Sequence, residues 1–326
     1  MSSSLPVAVG LALGYAADFL FGDPRRGHPV AAYGSAASAL ERRWWRDDRR
    51  AGVEYVAVAV GVPAAVAAAL DLGWRRQGLR GAARRAVFTA AATWAALGGR
   101  SLETEAEAMH ALLADDDVPG ARERLGHLCS RDASELSAGE IARAAVESVA
   151  ENTSDAVTGP LLWGAVAGPA GVVAYRCVNT LDAMVGYRDA RYERFGWAAA
   201  RLDDLMNVPA ARLTGLLTVG VAPLVGGHPH DAWKAWWRDA PTHPSPNAGV
   251  VEASAAGALG LRLGGANRYG DRLEDRGTLG SGRPAEAEDL PRAARLSRLV
   301  GAGALVTRRQ PLVRCHRLPR QFPTAR

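Results

Sequence analysis

Ala156-Val-Thr-Gly-Pro-Leu-Leu-Trp-Gly-Ala-Val-Ala-Gly-Pro-Ala-Gly-Val-Val-Ala-Tyr175 is the longest run of the chain without a charged residue. A hydrocarbon core takes about 20 apolar residues to cross, so this run decides between a membrane protein and a soluble one. Four shorter uncharged blocks accompany it: Ser2–Ala17, Tyr55–Leu70, Ala86–Gly99 and Leu213–Gly227. All are rich in Ala, Gly and Val, the small residues that let backbones approach closely where packing holds helices together. Buried helices of a soluble all-α protein would read similarly, but five blocks recurring between Arg-rich loops favour the bilayer. The expected fold is all-α: a multipass membrane protein with about five short, small-residue-rich helices and helical cytoplasmic loops. Gly168-Pro169 interrupts the quoted run, and Gly61-Val62-Pro63 interrupts Tyr55–Leu70. Each is expected to break its block into a re-entrant pair, since irregular backbone is tolerated where it faces protein or a cavity.

The rest of the composition agrees. The 326 residues carry 39 basic and 34 acidic side chains, and 48% are apolar, which excludes a disordered chain. Mean hydropathy is −0.07, an average over apolar blocks and charged loops. Three cysteines without CxxC spacing exclude a disulfide framework and a structural zinc site. The first block lacks a basic leader and a cleavage site, so it reads as an uncleaved anchor. Arginine carries the basic charge, with Lys234 the only lysine. Seven arginines lie in Asp23–Gly52 and five between Asp71 and Arg85. The positive-inside rule asks for both loops in the cytoplasm, which a simple crossing at Tyr55–Leu70 forbids. Topology stays open. No zinc-finger spacing, RNP-like motif or basic heptad helix supports nucleic-acid binding.

Residues 1–306 read as one integral membrane catalytic domain, with 100–155 a helical soluble insertion and 228–291 a loop-rich segment. Asn267–Pro291 is expected to be an exposed loop, and 307–326 a disordered Arg-rich tail.

Polar clusters crowd the block ends. Glu147, Glu151 and Asp155 are spaced by four and share a helix face, where like charges repel unless a cation or basic ligand sits among them. Arg176, Asn179 and Asp182 follow the quoted run, and charges at the edge of a membrane helix commonly line a site. Arg188 and Arg191 form an Arg-x-x-Arg fork suited to phosphate or carboxylate. Asp203, Asp204 and Asn207 offer hard oxygen ligands of the kind Mg²⁺ takes alongside substrate phosphate. A solvated face, a basic interfacial face and an ordinary N-cap are the plain alternatives for these clusters. Gly22-Asp23-Pro24 with His28-Pro29-Val30, and Ser245-Pro246-Asn247-Ala248-Gly249, add Asp23, His28 and Asn247, though both can be simple turns. A Walker loop and a G-x-S-x-G elbow are absent from the sequence.

These motifs, in this order, resemble the CobD/CbiB family, the adenosylcobinamide-phosphate synthases of cobalamin biosynthesis. The motifs are Gly-Asp-Pro…His-Pro-Val, Glu-Ser-Val-Ala-Glu-Asn-Thr-Ser-Asp, Tyr-Arg-Cys-Val-Asn-Thr-Leu-Asp-Ala-Met-Val-Gly-Tyr, Ala-Arg-Leu-Asp-Asp-Leu-Met-Asn-Val-Pro-Ala-Arg and Ser-Pro-Asn-Ala-Gly. The resemblance covers about residues 5–270 and implies a multipass cell-membrane enzyme with its active site on the cytoplasmic side. It implies an amide bond between adenosylcobyric acid and (R)-1-amino-2-propanol or its phosphate, with ATP and Mg²⁺ consumed, and contact with other late enzymes of that pathway. On this reading Glu147, Glu151 and Asp155 are catalytic, Glu147 or Glu151 being the base. Asp182, Asp203 and Asp204 hold Mg²⁺, with Glu151 or Asp155 as further candidates. Arg188, Arg191 and Arg201 bind phosphates, while Asp23, His28, Asn152, Asn179, Asn207 and Asn247 bind or orient substrate. The family leads one to expect a further closing apolar helix, whereas Leu299–Thr307 is only nine uncharged residues. Two rival readings are an intramembrane Mg²⁺-dependent prenyl- or phosphotransferase, which needs a long apolar tunnel, and a transporter, which needs pseudo-symmetric repeats.

Overall fold

Close packing of small residues sets the first helix pair in the computed structural model, which describes residues 4–24, 27–129, 131–187, 189–269 and 272–306. Helix α1 (Leu5–Phe21) lies on α4 (Gly78–Ala96). Gly10 faces Thr89 and Gly14 faces Thr93, so closely that a Cβ at Gly10 would stand 2.5 Å from that of Thr89. Contacts rising together along both helices make the pair parallel. The long helix α3 (Arg49–Trp74) returns the chain between them, and α2 (Pro29–Trp44) covers its near end. His28 caps α2, its Nδ1 accepting the Val30 N–H, and Asp48 caps α3.

The expected break at Gly61-Val62-Pro63 does not occur, for α3 runs unbroken through Pro63. Proline removes one helical donor and crowds the carbonyl four residues back. That carbonyl belongs to Ala59, and it accepts a hydrogen bond from the Tyr33 hydroxyl of α2 at 3.3 Å. The long-range partner keeps the helix whole.

The quoted run does reverse. A short π segment (Ser154–Thr158) joins α7 (Ala138–Thr153) to α8 (Gly159–Val185), and inside α8 Gly168 sits at φ 66°, ψ −151°. Only glycine adopts that conformation readily. The two arms, 159–167 and 169–185, fold back on each other. Gly164 meets Val172, Gly171 meets the Trp163 carbonyl, and Gly159 packs under the Tyr175 ring. In a straight helix Gly159 and Tyr175 would stand about 24 Å apart. The stretch is apolar enough to cross a membrane, yet its ends emerge together. Of the three helices long and apolar enough to cross among the described residues, α3 and α9 (Trp197–Val221, continued to Val225) are continuous.

A second body packs around α5 (Gly99–Ala114), α6 (Val118–Leu125) and α7, with α10 (Pro229–Asp239), α11 (Ala248–Leu259) and α12 (Asp289–Val306). Met109, Leu125, Ile141, Leu261, Leu279 and Leu290 are fully buried in its core. Helices α5, α6 and α7 share one core with the C-terminal third. The Ser137–Glu140 capping box starts α7. The expected loop at Asn267–Pro291 is corrected: β1 (Leu261–Tyr269) and β2 (Arg272–Leu279) pair antiparallel, with a bulge between Gly264 and Ala266, and β3 (Arg283–Pro284) joins β1 in parallel. Glycines that looked like loop punctuation are the bulge, Gly264 and Gly265 both taking positive φ. Asp289 is completely buried, paired with Arg283 and Arg292, and its carboxyl is held below the usual range by those hydrogen bonds. That pairing lets α12 begin ten residues before the uncharged run. The tail 307–326 lies outside the described residues.

Candidate functional site

Folding back α8 brings the motif ends together. Asp155 follows α7 in the π segment, while Arg176, Asn179 and Asp182 lie on the returning arm. The π turn carries an extra residue, so Asp155 is turned from the strict helical line of Glu147 and Glu151, as π-bulges at functional sites commonly do. The Asn179 amide nitrogen stands 3.5 Å from Asp155 Oδ2, and Arg176 donates to Asn179 Oδ1 at 3.2 Å. The charged neighbours of Asp155 are Asp203, Glu151 and Asp182, opposed by Arg176. Asp204 and Glu151 are in turn the charged neighbours of Asp182.

Helix α9 and the start of α11 complete the site. A cavity of about 50 Å³ is lined by Glu151, Ser154, Asp155, Asp203, Asp204, Asn207, Ser245 and Asn247, with Ala248 and Val251 as its apolar wall. The Tyr175 hydroxyl donates to Asn207 Oδ1 at 2.6 Å, so the Asn207 amide nitrogen must face Asp203, to whose Oδ2 it donates at 2.9 Å. Asp203 is 9% exposed, and its other oxygen has no hydrogen-bond partner. Ser154 Oγ, also buried, has none either. Asn247 ties α11 to α9: its amide donates to the Asp204 carbonyl at 2.7 Å, and its oxygen accepts from Arg212. Arg201 stands exposed 3.9 Å from Asp204.

Other expected site residues fall elsewhere. Glu147, expected as a catalytic residue and candidate base, has both oxygens engaged: Oε2 accepts from Arg131 and Oε1 from the Gly264 N–H, both at 2.7 Å. Oε1 anchors the β-hairpin to α7, and Oε2 holds the loop that precedes the helix. Arg191 stacks over Trp45 and pairs with Glu41, bracing the α2 corner away from the cavity. The Asn152 amide returns to the Ser148 carbonyl within its own helix. Asp23 accepts from Ser101 Oγ at 2.6 Å, sits 3.5 Å from His28 Nε2, and is a charged neighbour of Arg176. Arg188 lies outside the described residues.

Behind Glu151 lies a buried group that the motifs did not mark. Glu252 is fully buried, with His243 and Arg276 at 3.7 and 3.4 Å from its Oε1. Its signal in the sequence is its position, the one charge in Ala248–Leu261. Helix α11 is too short to cross a bilayer. Burial, then Glu147 and Glu151, push the Glu252 carboxyl well above its ordinary range, while burial and Arg276 hold His243 below its own. A carboxyl that keeps its proton more tightly when folded loses stability as pH rises from the unfolded carboxylate value, ~4.3, towards the folded one. Asp239 and Asp289, held low by their arginines, act oppositely but only at the acid end. Glu252→Gln should therefore flatten the fall in melting temperature as pH rises above the ordinary carboxylate range. Identical slopes in both proteins would refute the assignment.

The sequence matches, over residues 11–297, the family described as "CobD/Cbib protein". The chain belongs to the CobD/CbiB family. It is 53% identical over 310 residues to the cobalamin biosynthesis protein CobD of Mycobacterium tuberculosis (strain ATCC 25618 / H37Rv), covering 93% of this chain and 97% of that protein. The same-named protein of Geobacter metallireducens is 44% identical over 272 residues, covering 81% and 83%. That of Rhodobacter capsulatus is 40% identical over 311 residues, covering 93% and 94%. No solved structure matches. The CobD/CbiB match spans every residue of the cavity and of the α8 hairpin.

Proposed function

We propose that this chain acts in cobalamin biosynthesis as the membrane-bound acid–amine ligase. It would join adenosylcobyric acid to (R)-1-amino-2-propanol or its phosphate. The family relationship supports the pathway, and the convergence of Glu151, Asp155, Asp203 and Asp204 on one polar cavity carries the chemistry. A carboxylate acylates an amine only after activation, and an acyl phosphate formed from ATP is the economical route: the γ-phosphoryl passes to the carboxylate, ADP leaves, and the amine then displaces phosphate. Such a site needs a home for a metal–phosphate unit and a base for the ammonium proton.

The residues fit Mg²⁺. Among the described residues no three His, Cys, Asp or Glu side chains are placed to hold an ion alone. Magnesium ordinarily takes one or two carboxylates and fills its shell with phosphate oxygens and water. The buried, unpartnered Asp203 Oδ1 is such a donor, with Asp204 and Asp182 beside it. Bound there, the ion would neutralise phosphate charge. Glu151 is then the base, its position on the cavity wall suiting it better than Glu147. Asn207 holds Asp203, Asn247 holds the mouth between α9 and α11, and Arg201 meets anionic groups from outside. The cavity admits a small polar head, so the corrin's carboxylate would reach it from the mouth. A prenyltransferase would need apolar walls, and this lining is polar.

The deciding experiment uses the full chain in detergent with adenosylcobyric acid, ATP, Mg²⁺ and either amine, the product read by mass. An amide product is expected. Its absence with both amines overturns the reading.

A further inference from the structure

The two arginine-rich segments flanking α3 look alike in sequence but differ in the fold. At the far end Arg75 and Arg85 both close on Asp71, at 2.8 and 2.7 Å, and Arg84 donates to Gln77. At the near end Glu54 is the one carboxylate shared by Arg46 and Arg50, at 3.3 and 3.0 Å, and Arg49 lies over the Trp197 ring. Arg42 and Arg43 are exposed, and no carboxylate pairs with either among the described residues. Both ends therefore keep arginines that no carboxylate pairs with among the described residues, Arg76 and Arg80 at the far end as well as Arg42 and Arg43 at the near end.

The near-end charge borders a groove of about 470 Å³ lined by Arg43, Trp44, Arg46 and Glu54, then by Ala57 and Val58. From Val58 the apolar wall continues down α3. Val58, Val62 and Val66 recur every four residues on one face and are 37%, 56% and 55% exposed, and Leu70 extends the line. Twelve residues from Val58 to Leu70 span about 18 Å, a length suited to an acyl chain. Trp44 sits at the junction of the polar head and the apolar stripe, where amphipathic rings favour the membrane–water boundary.

We propose that this groove binds an anionic phospholipid, its phosphodiester held by Arg43 and Arg46 and an acyl chain laid along Val58, Val62 and Val66. Two guanidinium forks match phosphate oxygens, and the stripe supplies what a free phosphate lacks. The site is separate from the carboxylate cavity and independent of the proposed reaction.

The test is native mass spectrometry of the full chain released from bilayers of equal phosphatidylglycerol and phosphatidylcholine. Preferential retention of phosphatidylglycerol is expected, dropping roughly 25-fold in Arg43→Gln/Arg46→Gln, since each of the two basic residues near an anionic lipid shifts binding by a factor of about five. Arg80→Gln/Arg84→Gln, at the other end of α3, should retain it. Melting curves of each variant confirm that it folds. A Val62→Asp variant, which keeps the charges but spoils the stripe, should also lose lipid, whereas competition by inorganic phosphate should not displace it. Equal retention of both lipids, or retention unchanged by the Arg43/Arg46 pair, overturns the proposal. So does full displacement by phosphate.

Discussion

Asp203→Asn is expected to lower amide formation by at least ~10²-fold while leaving the protein folded, a loss of the size found when one charge-stabilising group is removed from an active site. The side chains are nearly isosteric, and neighbouring Asn207 can still hydrogen-bond the remaining oxygen. What disappears is the negative charge of a carboxylate whose second oxygen faces the cavity unpartnered. Tyr175→Phe is a graded comparator. It removes the donor that orients Asn207 but keeps the Asp203 charge, so its loss should be smaller and should fall on apparent Mg²⁺ affinity more than on turnover. Turnover assays across a Mg²⁺ titration decide the matter. Full activity in Asp203→Asn would remove this cavity from the mechanism.

Much of this site was legible in the chain because its motifs are local. Asp203, Asp204 and Asn207 lie within two turns of one helix, and helical spacing alone groups them. Asn247 was legible from its place beside Ser245. What could not be read was which groups cancel. Glu147 has the same spacing as Glu151, yet Arg131 from the preceding loop and a strand N–H 117 residues away occupy it. Arg191 and Arg201 are both arginines near acids, and only the α2 corner, with Glu41 and Trp45, shows that Arg191 is taken. Pairing of this kind is set by tertiary neighbours and leaves no periodic trace.

The same limit governs the two glycine–proline interruptions. In α3 the proline follows Val62, which stays helical, and Tyr33 satisfies the Ala59 carbonyl. In α8 the proline follows Gly168 directly. The residue before a proline is pushed out of the helical region, and a glycine there can go all the way to a reversal. Immediate adjacency was the readable difference. The hydroxyl that rescues α3 was not, because it comes from another helix.

That reversal also carries a large expected stability effect. Gly171 faces the opposite arm so closely that a Cβ would stand 2.1 Å from the Trp163 carbonyl oxygen and 2.8 Å from its carbon. Both are backbone atoms, so no rotamer change relieves the clash, and the arms must part. Parting them breaks the approach of Asn179 to Asp155 and shifts Tyr175 from Asn207, so packing and site fail together. Gly171→Ala, a single added methyl, is therefore expected to cost about 4 kcal/mol or more, at the extreme of point-mutant effects. Gly61→Ala supplies the contrast in the same protein. Its Cβ would meet nothing within 4 Å, and alanine is the better helix former by about 1 kcal/mol, so melting should hold or rise. Were α8 a straight crossing helix, Gly171 would meet no second arm and both alanines would behave alike. Thermal melts of the two variants in one detergent thus decide whether the apolar run crosses the membrane or turns back to deliver its carboxylates to one side.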